Sequence, residues 1–319
     1  MSVSIQNYKS IKSVRFDARR VNVFIGEPNS GKSNLLEALS LLGKEVFTDL
    51  KNLLRSPQTV DLFFDHDLEA EIDIKFDGTS CKLHLDKRQN YFIFDQASPK
   101  GRAQILSNAG GGFPSTLPSL ESPFRYYKYA PGHSAKGSSE YGFLTPPYGR
   151  NLPDLLYSDK TLRQSVAALF RSKGFRLEIR PQESEILISK EIDDVLYSYP
   201  FESISETLRR IVFYKAVLET NQNAVLLLDE PEANTFPFYT KYLAERISLD
   251  ETNQFFLTTH NPYVLMSIIE KTPRQDLAVF ITRMQDYRTE LRQLEGEELD
   301  EMLELSMDVF LNLDRYFPE

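Results

Sequence analysis

Four short runs, Val21-Asn-Val-Phe-Ile25, Ala224-Val-Leu-Leu-Leu228, Gln254-Phe-Phe-Leu-Thr258 and Leu277-Ala-Val-Phe-Ile281, are apolar almost without interruption. Runs of that length and composition predict strands buried on both faces. Between them the spacing becomes helical. Residues 34–42 read as an apolar helix, and residues 203–219 place Leu208, Ile211, Val212, Lys215, Val217 and Leu218 on one broad face. Pro237 and Asn261-Pro262 each open a further helix. Such strand–helix alternation predicts a mostly parallel sheet. Nearer the N-terminus the period is two: residues 71–76 and 81–85 alternate about the turn Phe76-Asp77-Gly78-Thr79, and residues 91–94 add a strand to this antiparallel lobe. Residues 98–149 hold 8 of the 14 glycines and 7 of the 17 prolines, so they read as loop with one strand at 124–129. From Thr161 a helix and two strands, 176–179 and 185–189, follow. In the tail, Leu299, Met302, Leu303, Phe310, Leu313 and Phe317 recur at helical spacing opposite an acidic face, which predicts a helix docked on its own domain or on a partner.

The pattern predicts an α/β chain of one domain in four parts. Residues 1–97 carry the antiparallel β lobe, and 98–200 form an inserted loop-rich and helical lobe. Residues 201–285 complete the parallel sheet, and 286–319 form an acidic C-terminal helix. With 319 residues, 41% of them hydrophobic, the chain can build a sizeable core. No apolar run approaches the roughly 18 residues of a membrane span, and the first residues lack the basic and apolar regions of a leader, so no membrane is expected. A single cysteine, Cys81, read as packed in a strand, excludes an internal disulfide and a cysteine-rich zinc site. Together these features suggest a reducing cytoplasm. The net charge of −9 argues against nucleic acid, but residues 286–319 contain 11 acidic and 3 basic residues and account for nearly all of it. Nucleic-acid binding is therefore permitted, not indicated.

Chemistry enters at the ends of the apolar strands. Gly26-Glu-Pro-Asn-Ser-Gly-Lys32-Ser33 fits G-x-x-x-x-G-K-[ST] and lies between a strand and a helix, where backbone N–H groups and a helix N-terminus face phosphate. Gly26, Asn29, Ser30, Gly31, Lys32, Ser33 and Asn34 are the candidate nucleotide contacts. Lys32 is expected at the β- and γ-phosphates and Ser33 on Mg²⁺. Asp229 ends a second strand, where parallel sheets hold their ligands, and is expected to bind the Mg²⁺. Glu230 is the candidate base for the attacking water. His260 lies just beyond a third strand and can orient that water.

Four segments also carry a resemblance: Asn7-Tyr-Lys-Ser-Ile-Lys12, the phosphate loop with Asn34-Leu-Leu-Glu-Ala-Leu39, Asp229-Glu-Pro-Glu-Ala-Asn-Thr-Phe-Pro237, and Thr258-Thr-His-Asn-Pro262. Over about 1–45 and 200–282 the chain resembles the ABC-type ATPases of the OLD, RecF and SMC group. Transporter ATPases usually show Asp-Glu-Pro-Thr where this chain has Glu232. The resemblance implies a P-loop NTPase fold with an ABC-ATPase-like sheet, ATP and Mg²⁺ as ligands, and an ATP-dependent homodimer. In that dimer each ATP lies between the phosphate loop of one subunit and the signature helix of the other. The signature region is Ser203-Ile-Ser-Glu-Thr-Leu-Arg-Arg210, with Ser205 as the γ-phosphate contact and Ser203 as the alternative; it lacks the usual glycine. Gln58 and residues 63–67 are candidates for the lid glutamine. Coiled-coil arms are absent from the sequence pattern, and the 38 residues after Ile281 are too few for an OLD-type nuclease domain.

These readings lead to an expected Mg²⁺-dependent ATPase that dimerises on ATP and controls a separate effector acting on nucleic acid, in phage defence or DNA repair. The alternatives are a nucleotide-gated scaffold with slow hydrolysis as a timer, and the motor subunit of a membrane transporter. The residues after Glu230 and the missing signature glycine speak against the last.

Overall fold

The computed structural model describes residues 1–108, 121–131, 142–305 and 310–317. In chain order its elements are β1 (Ser2–Tyr8), β2 (Ile11–Asp17), β3 (Val21–Gly26), α1 (Lys32–Ser40), α2 (Leu50–Leu53), β4 (Ile72–Phe76), β5 (Thr79–Asp86), β6 (Tyr91–Ser98), β7 (Gly101–Asn108) and β8 (Phe124–Tyr127). Then come α3 (Leu152–Ser158), α4 (Lys160–Arg171), β9 (Arg176–Arg180), β10 (Glu185–Ile192), β11 (Val195–Pro200), α5 (Glu206–Thr220), β12 (Val225–Asp229) and α6 (Pro237–Leu249). The chain continues with β13 (Gln254–Thr258), α7 (Pro262–Lys271), β14 (Leu277–Gln285), β15 (Arg288–Gln293) and α8 (Gly296–Leu305).

The four apolar runs are β3, β12, β13 and β14, and they lie side by side in a sheet of order β15-β14-β3-β13-β12-β8. All its pairings are parallel except β14 with β15. Each central strand divides its side chains between two cores, as the pleat requires. Val21, Val23 and Ile25 of β3 join Leu226, Leu228, Phe255 and Leu257 against α5, α6 and α7. Phe24, Leu227, Phe256 and Phe280 face the opposite way, toward α1 and the antiparallel sheet β2-β1-β4-β5-β6-β7. There Phe24 stacks on Phe256 and Phe280, Phe16 and Phe76 meet this group edge-on, and Phe124 meets Phe76 edge-on. The architecture is thus mixed α/β, with a parallel core sheet, an antiparallel lobe and a further lobe.

That further lobe is the sheet β11-β10-β9 with α3 and α4. Leu162, Val166, Phe170, Ile186 and Ile188 attach it to the core that holds α5. The structure departs from the sequence expectation at several elements. β7 occupies part of the segment read as loop, and α2, α3 and β11 were not anticipated. The tail expected to be a helix from residue 286 begins instead with β15, which returns along β14 through Asp286 and Tyr287, both at positive φ. The helix α8 follows, and Leu299, Met302, Leu313 and Tyr316 bury themselves in the chain's own core. Cys81 is buried in β5, as its context predicted.

Candidate nucleotide site

The parallel strands β3, β13 and β12 all end at one edge of the core sheet, and the motif residues leave from those ends. The phosphate loop turns at two glycines for steric reasons. Gly31 sits at φ +94, and a Cβ there would come within 2.0 Å of the Thr289 hydroxyl. Gly26 packs so closely on β14 that a Cβ would stand 2.4 Å from the Thr282 carbonyl oxygen. Larger residues cannot occupy either position without moving the strand beside it. Asn29 takes a left-handed conformation, and the Ser30 hydroxyl, fully buried, bonds to Thr282 Oγ1 at 2.6 Å. Gly31 then caps α1, so the helix N-terminus opens into the loop.

Lys32 is buried and folds over the loop, its Nζ donating to the carbonyls of Gly26 (2.8 Å) and Glu27 (2.7 Å). Burial lowers its pKa, with Glu230, Asp229 and Glu27 pulling the other way. Ser33 donates to Asp229 Oδ1 at 3.0 Å, and the same oxygen accepts the Thr258 hydroxyl at 2.6 Å. Glu230 follows in a left-handed conformation, φ +44, with its N–H donated to Thr258 Oγ1 at 3.0 Å. That turn separates its side chain from that of Asp229. Glu230 Oε1 meets Nδ1 of the exposed His260 at 3.0 Å. The structure therefore brings Lys32, Ser33, Asp229, Glu230 and His260 into one cluster, drawn from three adjacent strand ends.

Other predicted residues are placed differently. Asn34 points its amide at Ser10 Oγ (2.8 Å) rather than into the loop. Ser205 is the N-cap of α5, its hydroxyl accepting from Leu208 N, and Ser203 bonds back to the Pro200 carbonyl. Among the described residues neither serine belongs to the Ser33–Asp229 network. Of the lid candidates, Gln58 caps the turn Thr59–Leu62 in a reciprocal pair with Asp61, and Phe63 is buried in the core. Those positions serve the local fold.

Several residues of the site were not foreseen. Thr258 holds both Asp229 and Glu230. Glu37, fully buried on α1, is clamped by Lys9 at 2.6 Å and Arg55 at 2.7 Å, and Arg55 reaches on to Asn34 Oδ1 at 3.4 Å. The signal for Glu37 was in the sequence: a carboxylate between Leu36 and Ala38 of an apolar helix needs a buried cation. Glu232 is buried as well, with one carboxyl oxygen accepting the Thr259 hydroxyl and the other, Oε2, lacking a hydrogen-bond partner among the described residues. Burial raises its pKa to about 7, although the Thr259 hydrogen bond and nearby His260 lower it.

The fold is mixed α/β of ABC-ATPase-like architecture, with a phosphate-binding loop at the end of β3. In agreement, residues 1–124 match the family model of the AAA ATPase domain. The whole fold is that of SMC heads. It is similar to an SMC head bound to the C-winged helix domain of ScpA, with a TM-score of 0.55 and 16% identity, over 94% of this chain and 98% of that one. It is similar also to an SMC head with an extended coiled coil, bound to the C-terminal domain of ScpA derived from Pyrococcus furiosus (TM-score 0.52, 14% identity, 95% and 98% covered). Among curated proteins, an ATP/GTP phosphatase of Helicobacter pylori is 36% identical over 85 residues. The match spans 23% of this chain and 23% of that protein.

Proposed function

We propose that this chain is a Mg²⁺-dependent ATPase of the OLD, RecF and SMC group, which closes into a homodimer on ATP and thereby controls a separate effector acting on nucleic acid, in phage defence or DNA repair. The observation that carries the catalytic part is the convergence of Ser33, Asp229, Glu230 and His260 at the ends of β3, β12 and β13. The donor set fits Mg²⁺: Ser33 Oγ, Asp229 Oδ1 and Thr258 Oγ1 are hard oxygens, and both hydroxyls donate to the Asp229 oxygen. Among the described residues no group of three or more histidines, cysteines or acids could hold a metal unaided. A site of that kind leaves coordination positions for phosphate oxygens and water, as Mg²⁺ in nucleotide sites requires. Ser33 and Asp229 would hold the ion, which neutralises charge on the β- and γ-phosphates.

The protein's own groups then have separate tasks. Lys32 leaves the carbonyls of Gly26 and Glu27 for the β/γ-phosphates, and the N–H groups around Gly31 cradle them. Glu230 accepts a proton from water, and His260, against its carboxylate, orients that water beside the γ-phosphate. Ser205 is the residue assigned here to meet the γ-phosphate bound to a second copy, and its exposure at the N-terminus of α5 supports that role. The two similar SMC heads are each bound to a domain of ScpA, which supports a separate protein partner here.

The test is Glu230→Gln. It should keep ATP affinity and lower turnover by about a hundredfold or more, the usual worth of a positioned base. The variant should accumulate as an ATP-bound dimer, visible by light scattering after size exclusion. Hydrolysis at the wild-type rate would move the base elsewhere.

A further inference from the structure

A buried hydrogen bond between side chains also joins the turn after β12 to the turn after β13. Glu232, three residues past Asp229, is 3% exposed and accepts the hydroxyl proton of Thr259. That hydroxyl is used twice, since its oxygen also accepts Asn261 N–H at 3.0 Å. Thr259 N–H is fixed to the Phe24 carbonyl of β3 at 3.1 Å. Asn261 in turn caps α7, accepting from Tyr263 N (2.9 Å) and Val264 N (3.4 Å). His260 is thus carried between two fastened residues, its exposed side chain 3.0 Å from Glu230. On the other side, the Glu232 carbonyl accepts Thr235 N–H at 3.0 Å, so the carboxyl stands on a closed turn.

We propose that Glu232 is a positioning residue: through Thr259 it holds His260 against Glu230. The inference rests on the catalytic reading of Glu230 and His260 above. A carboxyl oxygen, Oε2, is buried and has no hydrogen-bond partner among the described residues. Leaving such a group unsatisfied costs about 1–3 kcal/mol, a cost that folding alone gives no reason to accept. The groups facing the carboxyl are Glu230 in its own turn, His260 after β13 and Tyr214 of α5. In this company burial brings the carboxyl's pKa to about 7, so its neutral form is well populated near neutrality. What positioning requires is an acceptor for Thr259, which an amide supplies as well as a carboxylate.

The experiment compares wild type with Glu232→Ala, Glu232→Gln, Thr259→Val and the double variant Glu232→Ala/Thr259→Val. Turnover, ATP affinity and the ring resonances of His260 are measured, the last assigned with His260→Gln. Glu232→Ala and Thr259→Val should each lower kcat about tenfold, with KM and ATP affinity within about threefold. The double variant should be no worse than the poorer single, because residues in one network are not additive. Glu232→Gln should retain kcat within about threefold, and the His260 resonances should move in Thr259→Val but hold in Glu232→Gln. Wild-type kcat in Thr259→Val, or additive losses in the double variant, would overturn the proposal. So would a Glu232→Gln as impaired as Glu232→Ala, which would put the carboxylate itself in the chemistry. If Glu232→Ala does not fold, Thr259→Val and Glu232→Gln still decide. A wild type without ATPase activity would defeat the catalytic reading alone, and the His260 resonances would then test the Glu232–Thr259 hold by themselves.

Discussion

At the scale of single residues, the buried carboxyl of Glu232 has a consequence for stability. Its pKa rises from an ordinary 4.5 to about 7 because burial penalises the ionised form. A raised carboxylate pKa means that the folded state holds a proton which the unfolded chain releases. The resulting destabilisation is absent below the ordinary value, grows between the two, and is complete above about pH 7. A shift of that size corresponds to about 3 kcal/mol. Glu232→Gln removes the ionisation, so it should match wild type in melting temperature near pH 4 and exceed it by several degrees at pH 8. Melting curves at the two pH values check this, and a gap that is the same at both would refute it. The residue also shows what the sequence reveals and what it hides. Asp229, Glu230 and His260 were legible because each follows an apolar strand. Glu232 stood out only by resemblance. Thr258 and Thr259 entered only as part of the resembling motif, and Thr282 and Thr289 not at all, since a threonine in or just after a strand looks alike whether it faces solvent or a buried polar partner.

At the scale of elements, legibility followed burial. Strands β3, β12, β13 and β14 are buried on both faces and so declare themselves as apolar runs. All six residues of β11 are exposed, so no hydrophobic period marks it. β15, Arg288-Thr-Glu-Leu-Arg-Gln293, has the composition of a solvated helix. Its pairing with β14 across the left-handed pair Asp286 and Tyr287 overrides that local preference. Elements also join the site to its surroundings. Thr207, in the first turn of α5, donates to the Asn234 carbonyl at 2.9 Å, and Asn234 lies in the loop that follows Glu230 with φ +58. This bond couples the helix that bears Ser205 to the loop that bears Glu230, the proposed base. Thr207→Val removes it and keeps the shape. Turnover should fall about three- to tenfold with ATP affinity unchanged, while stability, for an exposed bond of this kind, should fall by no more than about 1 kcal/mol. Wild-type turnover would show that the loop keeps its geometry without α5.

At the scale of the whole molecule, the proposed dimer divides each ATP site between two copies, and this division can be tested with two defective chains. Ser205 is exposed at the N-terminus of α5, outside the cluster that contains Lys32. Ser205→Arg puts a large cation where the second copy's phosphate loop would close. It should prevent ATP-dependent dimerisation but leave the monomer's nucleotide affinity nearly unchanged, because Lys32 and the loop of the same chain are intact. Lys32→Ala has the reverse defect: it loses the point charge on the β/γ-phosphates and with it ATP binding. Neither variant alone should hydrolyse ATP. When the two are mixed, each mixed dimer holds one site with both defects and one with neither. A single intact site joins the loop of the Ser205→Arg chain to the helix of the Lys32→Ala chain, so partial activity should return. Size exclusion with light scattering, with and without a non-hydrolysable ATP analogue, follows assembly, and phosphate release follows turnover. If Ser205→Arg dimerises on the analogue and turns over normally, α5 does not read the nucleotide of a second copy, and the chain hydrolyses ATP without a contact from across the dimer.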